Sequence, residues 1–323
     1  METLWFVLIA VLWLGYLFLE GFDFGVGMLL PVLGRDNAER RVMINTIGPV
    51  WDGNEVWLIV AIGATFAAFP GWYAALLSAV YLPLTLFLIA LIGRGVAFDY
   101  RGKVDNPRWR KAWDFTIVAG SWIATLCVGL LISTTVLGLP IDANGDRVGS
   151  PFAAIRLDTI VGAFAFAGYA LVHGAVFTAL KTEGEIRERA RRVAITLAPV
   201  ALLPLIALLA IVAGLWAGVV ALILAAAMWR LLANRDGQSF ALMGLAIAAS
   251  VAILFGSLYP NVLPSTLNDA WTLTIANTAS SPYTLQVITW VAGFGTPAVL
   301  VYQGWTYWVF RKRIGVKHIP AAH

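Results

Sequence analysis

The sequence predicts an all-α polytopic membrane protein with nine transmembrane helices, its N-terminus outside and its C-terminus cytoplasmic. Three observations carry this prediction. Apolar runs of about 18 residues or more, enough to cross a bilayer, recur along the whole length. Of the 323 residues, 60% are hydrophobic and only 12% are charged, and mean hydropathy is +0.82; a soluble domain carries about 25% charged residues. The basic residues, finally, are confined to alternate loops.

The apolar runs place candidate helices at 4–30, 46–69, 74–98, 114–138, 156–180, 193–212, 215–232, 240–259 and 285–310. The first follows Met1-Glu2-Thr3, which has no positive lead-in, so it reads as a retained span and not as a cleaved signal peptide. Between the sixth and seventh, Gly214 is almost the whole joint. One set of loops holds Arg35, Arg40 and Arg41; Arg94, Arg101, Lys103, Arg108, Arg110 and Lys111; Lys181, Arg187, Arg189, Arg191 and Arg192; Arg230 and Arg235; and Arg311, Lys312, Arg313 and Lys317. That set contains 20 of the 22 basic residues and leaves only Arg147 and Arg156 for the other side. Lys and Arg gather on the cytoplasmic side of membrane proteins, which fixes the orientation and agrees with an odd number of spans.

An internal repeat is visible. Gly15-Tyr16-Leu17-Phe18-Leu19-Glu20-Gly21-Phe22-Asp23-Phe24 is similar to Gly168-Tyr169-Ala170-Leu171-Val172-His173-Gly174-Ala175-Val176-Phe177. Arg40-Arg41-Val42 leads to Pro49-Val50 as Arg191-Arg192-Val193 leads to Pro199-Val200. Both copies run in the same direction by the charge rule, giving a first four-helix repeat over 1–138 and a second over 139–259. An external loop, the ninth helix and a cytoplasmic tail fill 260–323. The copies differ where it matters: Trp51-Asp52-Gly53-Asn54-Glu55 stands in the first half and Ala201-Leu202-Leu203-Pro204-Leu205 in the second.

Four acids interrupt the apolar runs of the first half. Glu20 and Asp23 are three apart on one helix, Asp52 and Glu55 three apart on the next, and that spacing puts each pair on one face. A short loop makes the two helices antiparallel neighbours, so the faces can meet. An ionised side chain at the bilayer centre costs roughly 2.5–3.5 kcal/mol on insertion scales, so the four need partners, protonation or water. Protonatable groups in a row form a proton relay. With about 1.5 Å of rise per residue, Asp52 is expected roughly 10 Å in from the cytoplasmic start of its helix. The competing reading has the acids fix helix packing, against a partner's arginine or against Arg94. Gly21, Gly25 and Gly27 read as a close-packing face. Asp99, Asp105, Asp114, Glu183, Glu185 and Glu188 read as solvated loop or helix-end residues.

Several classes of function fall away. The single cysteine, Cys127, can form neither an internal disulfide nor a CxxC metal site. The pI of 9.3 comes from short loops between spans, so it reflects membrane topology and no nucleic acid is expected as a partner. Only His173 lies within a span, His318 and His323 being on the tail. Haem between helices needs axial His or Met ligands; with five Met in all, the chain itself is expected to ligate no haem and to supply no catalytic or metal-ligating residue.

Gly21-Phe22-Asp23-Phe24-Gly25-Val26-Gly27-Met28 and Trp51-Asp52-Gly53-Asn54-Glu55-Val56-Trp57-Leu58-Ile59 closely resemble subunit II of the cytochrome bd-type quinol oxidases. So do Phe98-Asp99-Tyr100-Arg101, Trp109-Arg110 and Trp113-Asp114, and the match is clearest over residues 15–115. The resemblance implies a multi-pass subunit in a bacterial cytoplasmic (inner) membrane, folded as two four-helix bundles plus one extra helix. Its partner would be subunit I, which carries haem b and haem d and oxidises quinol at the outer face; some members also hold a quinone in subunit II, and a small single-helix subunit is a further partner to test. Acids matching Asp23 and Asp52 are associated in the family with proton delivery, which places Glu20 and Glu55 beside that path. The residue matching Trp57 is associated with a lateral path for oxygen. Glu55 departs from the family pattern, where Gln stands, and Glu20 alternates with Asp. The rival readings are a proton-coupled secondary transporter using the same acids, and a structural subunit whose acids only pack.

Overall fold

The computed structural model describes residues 1–319, so His323 lies outside the described residues. The chain runs α1 (Glu2–Leu33), α2 (Asn37–Ile47), α3 (Trp51–Ala68), α4 (Pro70–Ala79), α5 (Tyr81–Tyr100) and α6 (Pro107–Leu137), then α7 (Leu157–Lys181), α8 (Glu185–Ala201), α9 (Leu203–Ala213), α10 (Ala217–Leu232) and α11 (Asp236–Leu258). Two short antiparallel strands, β1 (Asn261–Leu263) and β2 (Leu273–Thr274), a single turn α12 (Ile275–Thr278) and the long α13 (Pro282–Val309) complete it.

Seven stretches among the described residues are long and apolar enough to cross a membrane, against the nine expected. Two differences account for the gap. The expected pair 193–212 and 215–232 falls within one stretch, Glu185–Leu232. It breaks at Gly214, whose φ of 56° is in the left-handed region that suits a residue without Cβ. The expected helix 46–69 is not continuous. Pro49 has no N–H to give to the Asn45 carbonyl, so α2 stops at Ile47 and α3 starts afresh at Trp51. The expected helix 74–98 likewise divides at Val80, because Pro83 cannot donate to the Ala79 carbonyl. In the other direction, α6 starts seven residues before the expected 114, with Pro107 in its first turn and the Asn106 side chain accepting from the backbone N–H groups of Arg108 and Trp109.

Helices α1 and α7 form the centre. Every residue of α1 from Glu20 to Leu30 is buried, and α7 packs along that stretch. Their backbones touch at Gly25 and Gly174: a Cβ on Gly25 would stand 1.9 Å from the Ala170 carbonyl oxygen, and one on Gly174 would stand 2.4 Å from the Gly25 carbonyl carbon. Of the expected close-packing face, Gly25 makes the backbone contact, Gly27 lies against Ser121 of α6, and Gly21 lies under the Tyr169 ring.

The basic ends of the helices are tied by buried ion pairs. Asp114 was expected to be solvated, yet it is buried and binds Arg101 at 2.5 Å and Arg40 at 2.9 Å. Asp236 at the start of α11 is likewise buried and binds Arg187 at 2.7 Å, Arg313 at 3.1 Å and Arg191 at 3.3 Å. Pairing explains both burials, since an ionised carboxylate stays inside only when its charge is met. Arg313 follows α13, so this cluster also anchors the tail, helped by the Thr182–Ile314 bridge.

Substituting Gly25→Val is therefore expected to overpack the α1–α7 contact and cost about 1–3 kcal/mol or more. Gly256→Ala on α11, where an added Cβ meets nothing within 4 Å, is the control. Thermal denaturation of the detergent-solubilised protein should show a lowered midpoint for the first and an unchanged one for the second.

Candidate functional site

The site is built around Arg94 of α5, whose side chain is completely buried. Its Nη1 lies 3.1 Å from Glu55 Oε1 and 3.6 Å from Glu20 Oε2. Phe24 and Phe98 hold the guanidinium between them, with ring centroids 4.8 and 5.0 Å from its carbon, an arrangement that favours a cation over the ring faces. Helix α1 supplies Glu20 and Asp23, α3 supplies Asn54 and Glu55, and α5 supplies the cation. One turn from Glu20, the Tyr16 ring packs edge-on to Trp13, and its hydroxyl is buried.

Asp23 belongs to the same cluster but not to the cation. Its Oδ2 accepts a 2.6 Å hydrogen bond from the Asn54 amide. The Asn54 carbonyl oxygen in turn accepts from the Tyr307 hydroxyl at 2.7 Å and from the Gln303 amide at 3.4 Å. Gln303 Oε1 accepts from the Trp57 indole N–H at 2.8 Å. A continuous chain of hydrogen bonds thus links Asp23 to α13. The Trp57 ring also fills the notch left by Gly15, where a Cβ would come within 2.1 Å of it.

The structure brings Glu20, Asp23 and Glu55 together and leaves Asp52 apart. Asp52 is exposed in the first turn of α3 and not about 10 Å inside a helix, because the break at Pro49 moves the helix start to its doorstep. The face of α3 turned toward α1 carries Asn54 and, beside it, Glu55. Arg94, weighed in the sequence as a packing partner, does pair with the acids. Asn54, Gln303 and Tyr307 were not singled out. The last two could have been: they lie four apart on the ninth apolar run, a spacing that puts both on one face.

One cation stands among three acids and pairs with two of them, and the polar atoms are not all satisfied. Both Glu20 oxygens, Asp23 Oδ1, the Tyr16 hydroxyl, and Nε and Nη2 of Arg94 are buried without a hydrogen-bond partner. A lone buried polar group costs about 1–3 kcal/mol, so helix packing alone is a poor account of this concentration.

His173 does not fit an axial haem ligand. Its Nε2 lies 3.2 Å from the Phe18 carbonyl oxygen, and its ring is stacked against Tyr169 and Phe240 with centroids 5.0 and 4.9 Å away. Two apolar cavities beside Trp13, about 20 Å³ each, have room for a water-sized group and not for a quinone ring.

The pattern of one protein family, cytochrome bd terminal oxidase subunit II, matches residues 1–310. The chain is 42% identical to cytochrome bd ubiquinol oxidase subunit 2 of Bacillus subtilis (strain 168), covering 98% of each. It is 32% identical to cytochrome bd-I ubiquinol oxidase subunit 2 of Escherichia coli (strain K12), covering 97% of this chain and 95% of that one. In fold it is similar to a chain of the bd oxidase from Geobacillus thermodenitrificans, with a TM-score of 0.74 over 95% of this chain and 96% of that one, at 16% identity. The chain belongs to the cytochrome bd terminal oxidase subunit II family.

Removing the cation leaves the acids uncompensated, which for a buried pair costs about 3–5 kcal/mol. Arg94→Gln should therefore lower the yield and melting temperature of the folded protein sharply, and the double variant Arg94→Gln with Glu20→Gln should recover part of that loss. Equal stability of Arg94→Gln and the wild type would show that the pair is not buried as described.

Proposed function

We propose that this chain is the haem-free subunit II of a terminal oxidase that couples quinol oxidation to reduction of O2 to water, and that it feeds protons to the partner subunit. The curated relatives are named as subunits of ubiquinol oxidases, enzymes that take electrons from quinol. The observation that supports the proton role is the concentration of buried, partly unpartnered acids around a single buried cation in an otherwise apolar bundle. A site of that kind holds and passes protons more readily than it glues helices.

The proposed path runs from the basic face, which the distribution of Lys and Arg assigns to the cytoplasm. Asp52, exposed at the mouth of α3, takes the proton in. Glu55, one turn further, passes it on beside Arg94 to Glu20. Asp23 receives it next, with its Asn54–Tyr307 hydrogen bonds holding the carboxylate in register on α1. Arg94 compensates one negative charge at a time, so a proton can move among the three acids without the cluster gaining a second uncompensated charge. The haem b and haem d of the partner would supply the electron chemistry, and this chain would hold none of it. Oxygen reduction consumes protons; drawing them from the cytoplasm while quinol releases its own outside builds a gradient without a pump.

Trp57 borders the lipid-facing side of α3, next to the exposed Val56 and Val60, and a lateral oxygen path would pass along it. A bacterial inner-membrane location and two four-helix halves belong to the same family reading, and a small single-helix subunit is a further partner to test. A stand-alone proton-coupled transporter is not favoured, since family members act as oxidase subunits and the acids are confined to one half.

In the purified two-subunit oxidase, Asp23→Asn and Glu20→Gln should each lower quinol-driven O2 consumption by about a hundredfold, the low end of what a positioned proton donor contributes. The haem absorption spectrum should be unchanged. Tyr307→Phe, which keeps the ring and removes the hydroxyl that holds Asn54, should give a smaller loss. Full turnover in Asp23→Asn and Glu20→Gln with normal haem content would reduce the cluster to a packing device.

A further inference from the structure

The last long helix is held near its ends and buries little of its length. Of the 28 residues of α13, only Leu285 is buried. At its N-terminal end the Trp5 indole N–H donates to the Leu285 carbonyl oxygen at 3.3 Å and to the Thr289 hydroxyl at 3.0 Å. At its C-terminal end Gln303 and Tyr307 meet Trp57 and Asn54 of α3. Beyond Val309 the chain leaves the helix and crosses to the turn between α7 and α8. There it forms a strap. The Lys181 ammonium donates to the Phe310 carbonyl oxygen. The Ile314 N–H donates to the Lys181 carbonyl oxygen at 2.9 Å, and the Ile314 carbonyl oxygen accepts from the Glu183 N–H at 3.1 Å. Arg313 reaches the Leu180 carbonyl oxygen at 3.0 Å and the buried Asp236 at 3.1 Å, and Lys317 closes on the Glu183 carboxylate at 2.8 Å.

We propose that this strap, and Arg313 above all, positions Asp23 for proton transfer, acting through Tyr307, Gln303 and Asn54; the inference rests on the relay proposed above. Direction of donation is the first argument. The Trp57 indole N–H can only donate. It gives its hydrogen to Gln303 Oε1, which turns the Gln303 amide N–H toward Asn54 Oδ1. The Asn54 oxygen therefore faces α13, and the Asn54 N–H is left for Asp23. The Tyr307 hydroxyl donates to the same Asn54 oxygen and fixes that orientation. An Asn54 amide released from α13 is able to turn over, which would set its oxygen against the Asp23 carboxylate.

Leverage is the second argument. The first strap contact, at Phe310, lies about 4.5 Å of helix rise beyond Tyr307. The Tyr307–Asn54 contact is 2.7 Å, and a hydrogen bond is lost once it opens to about 3.5 Å. A slip of about 1 Å at the end of α13 therefore breaks it. No residue of α13 past Leu285 is buried, so packing within this chain does little to resist that slip. The strap does resist it, because its ladder and its Arg313 contact are fixed to α7 and to the start of α11, elements apart from α3.

The test uses the complete two-subunit oxidase carrying Arg313→Gln with Lys317→Gln. Asp236 keeps Arg187 and Arg191 in that variant, so its burial stays compensated and the fold should hold. Its kcat for quinol-driven O2 consumption should fall about fivefold, what losing one hydrogen bond costs on balance, with KM for quinol and the haem spectrum unchanged. Arg313→Lys, which keeps a cation opposite Asp236, should retain most of the turnover. In a Tyr307→Phe background the strap substitutions should cost less than about twofold further, because the bond through which they act is already gone. Losses that multiply in that background would show that the strap acts by another route and would overturn the inference. Full turnover in the strap variant beside a loss in Asp23→Asn would overturn it alone, whereas full turnover in Asp23→Asn would overturn the relay and this inference together.

Discussion

A single buried guanidinium organises the functional half of this protein. The Arg94 side chain is fully buried, and a cation placed there needs both anions and ring faces around it. Glu20 and Glu55 supply the anions, Phe24 and Phe98 the rings. Because these four residues come from α1, α3 and α5, the ion pair also fixes how those helices stand relative to one another. Other features follow from it. The Gly15 notch lets the Trp57 ring lie close to α1, and Trp57 then carries the hydrogen-bond chain out to α13 through Gln303.

The segment of α7 that resembles the acid-bearing stretch of α1 in sequence carries no acid. Where α1 has Glu20, the repeat has His173 on α7, its ring packed against aromatic neighbours and its Nε2 beside a backbone carbonyl. The clamps at the basic end are retained in both halves, Asp114 with Arg40 and Asp236 with Arg191. The buried acids are thus concentrated among α1, α3 and α5.

Much of this was legible in the sequence, for identifiable reasons. Hydropathy marks helices because a membrane leaves the backbone few alternatives, and acids in apolar runs stand out because they cost so much there. Glu20, Asp23 and Glu55 were found that way. Proline breaks are less legible: those at Pro49 and Pro83 lie inside apolar runs, so hydropathy passes over them while the hydrogen-bond ladder does not. That is why Asp52 was expected deep in a helix and is found exposed at its start. Asp114 was misjudged for the opposite reason, since its neighbours in sequence are polar but its partners Arg40 and Arg101 arrive from other elements. Asn54, Gln303 and Tyr307 are neutral polar residues, and only the meeting of three helices shows that they form one chain.

The central claim is that protons bound for oxygen reduction pass through the Arg94 cluster. The most direct measurement is the reaction of the fully reduced two-subunit oxidase with O2 in a single turnover, following proton uptake with a pH-indicating dye alongside haem oxidation. If the relay is as described, Glu20→Gln leaves oxygen binding to the reduced haem at the wild-type rate and delays proton uptake together with the later oxidation steps. Proton uptake at the wild-type rate in that variant, with its haems intact, would contradict the account.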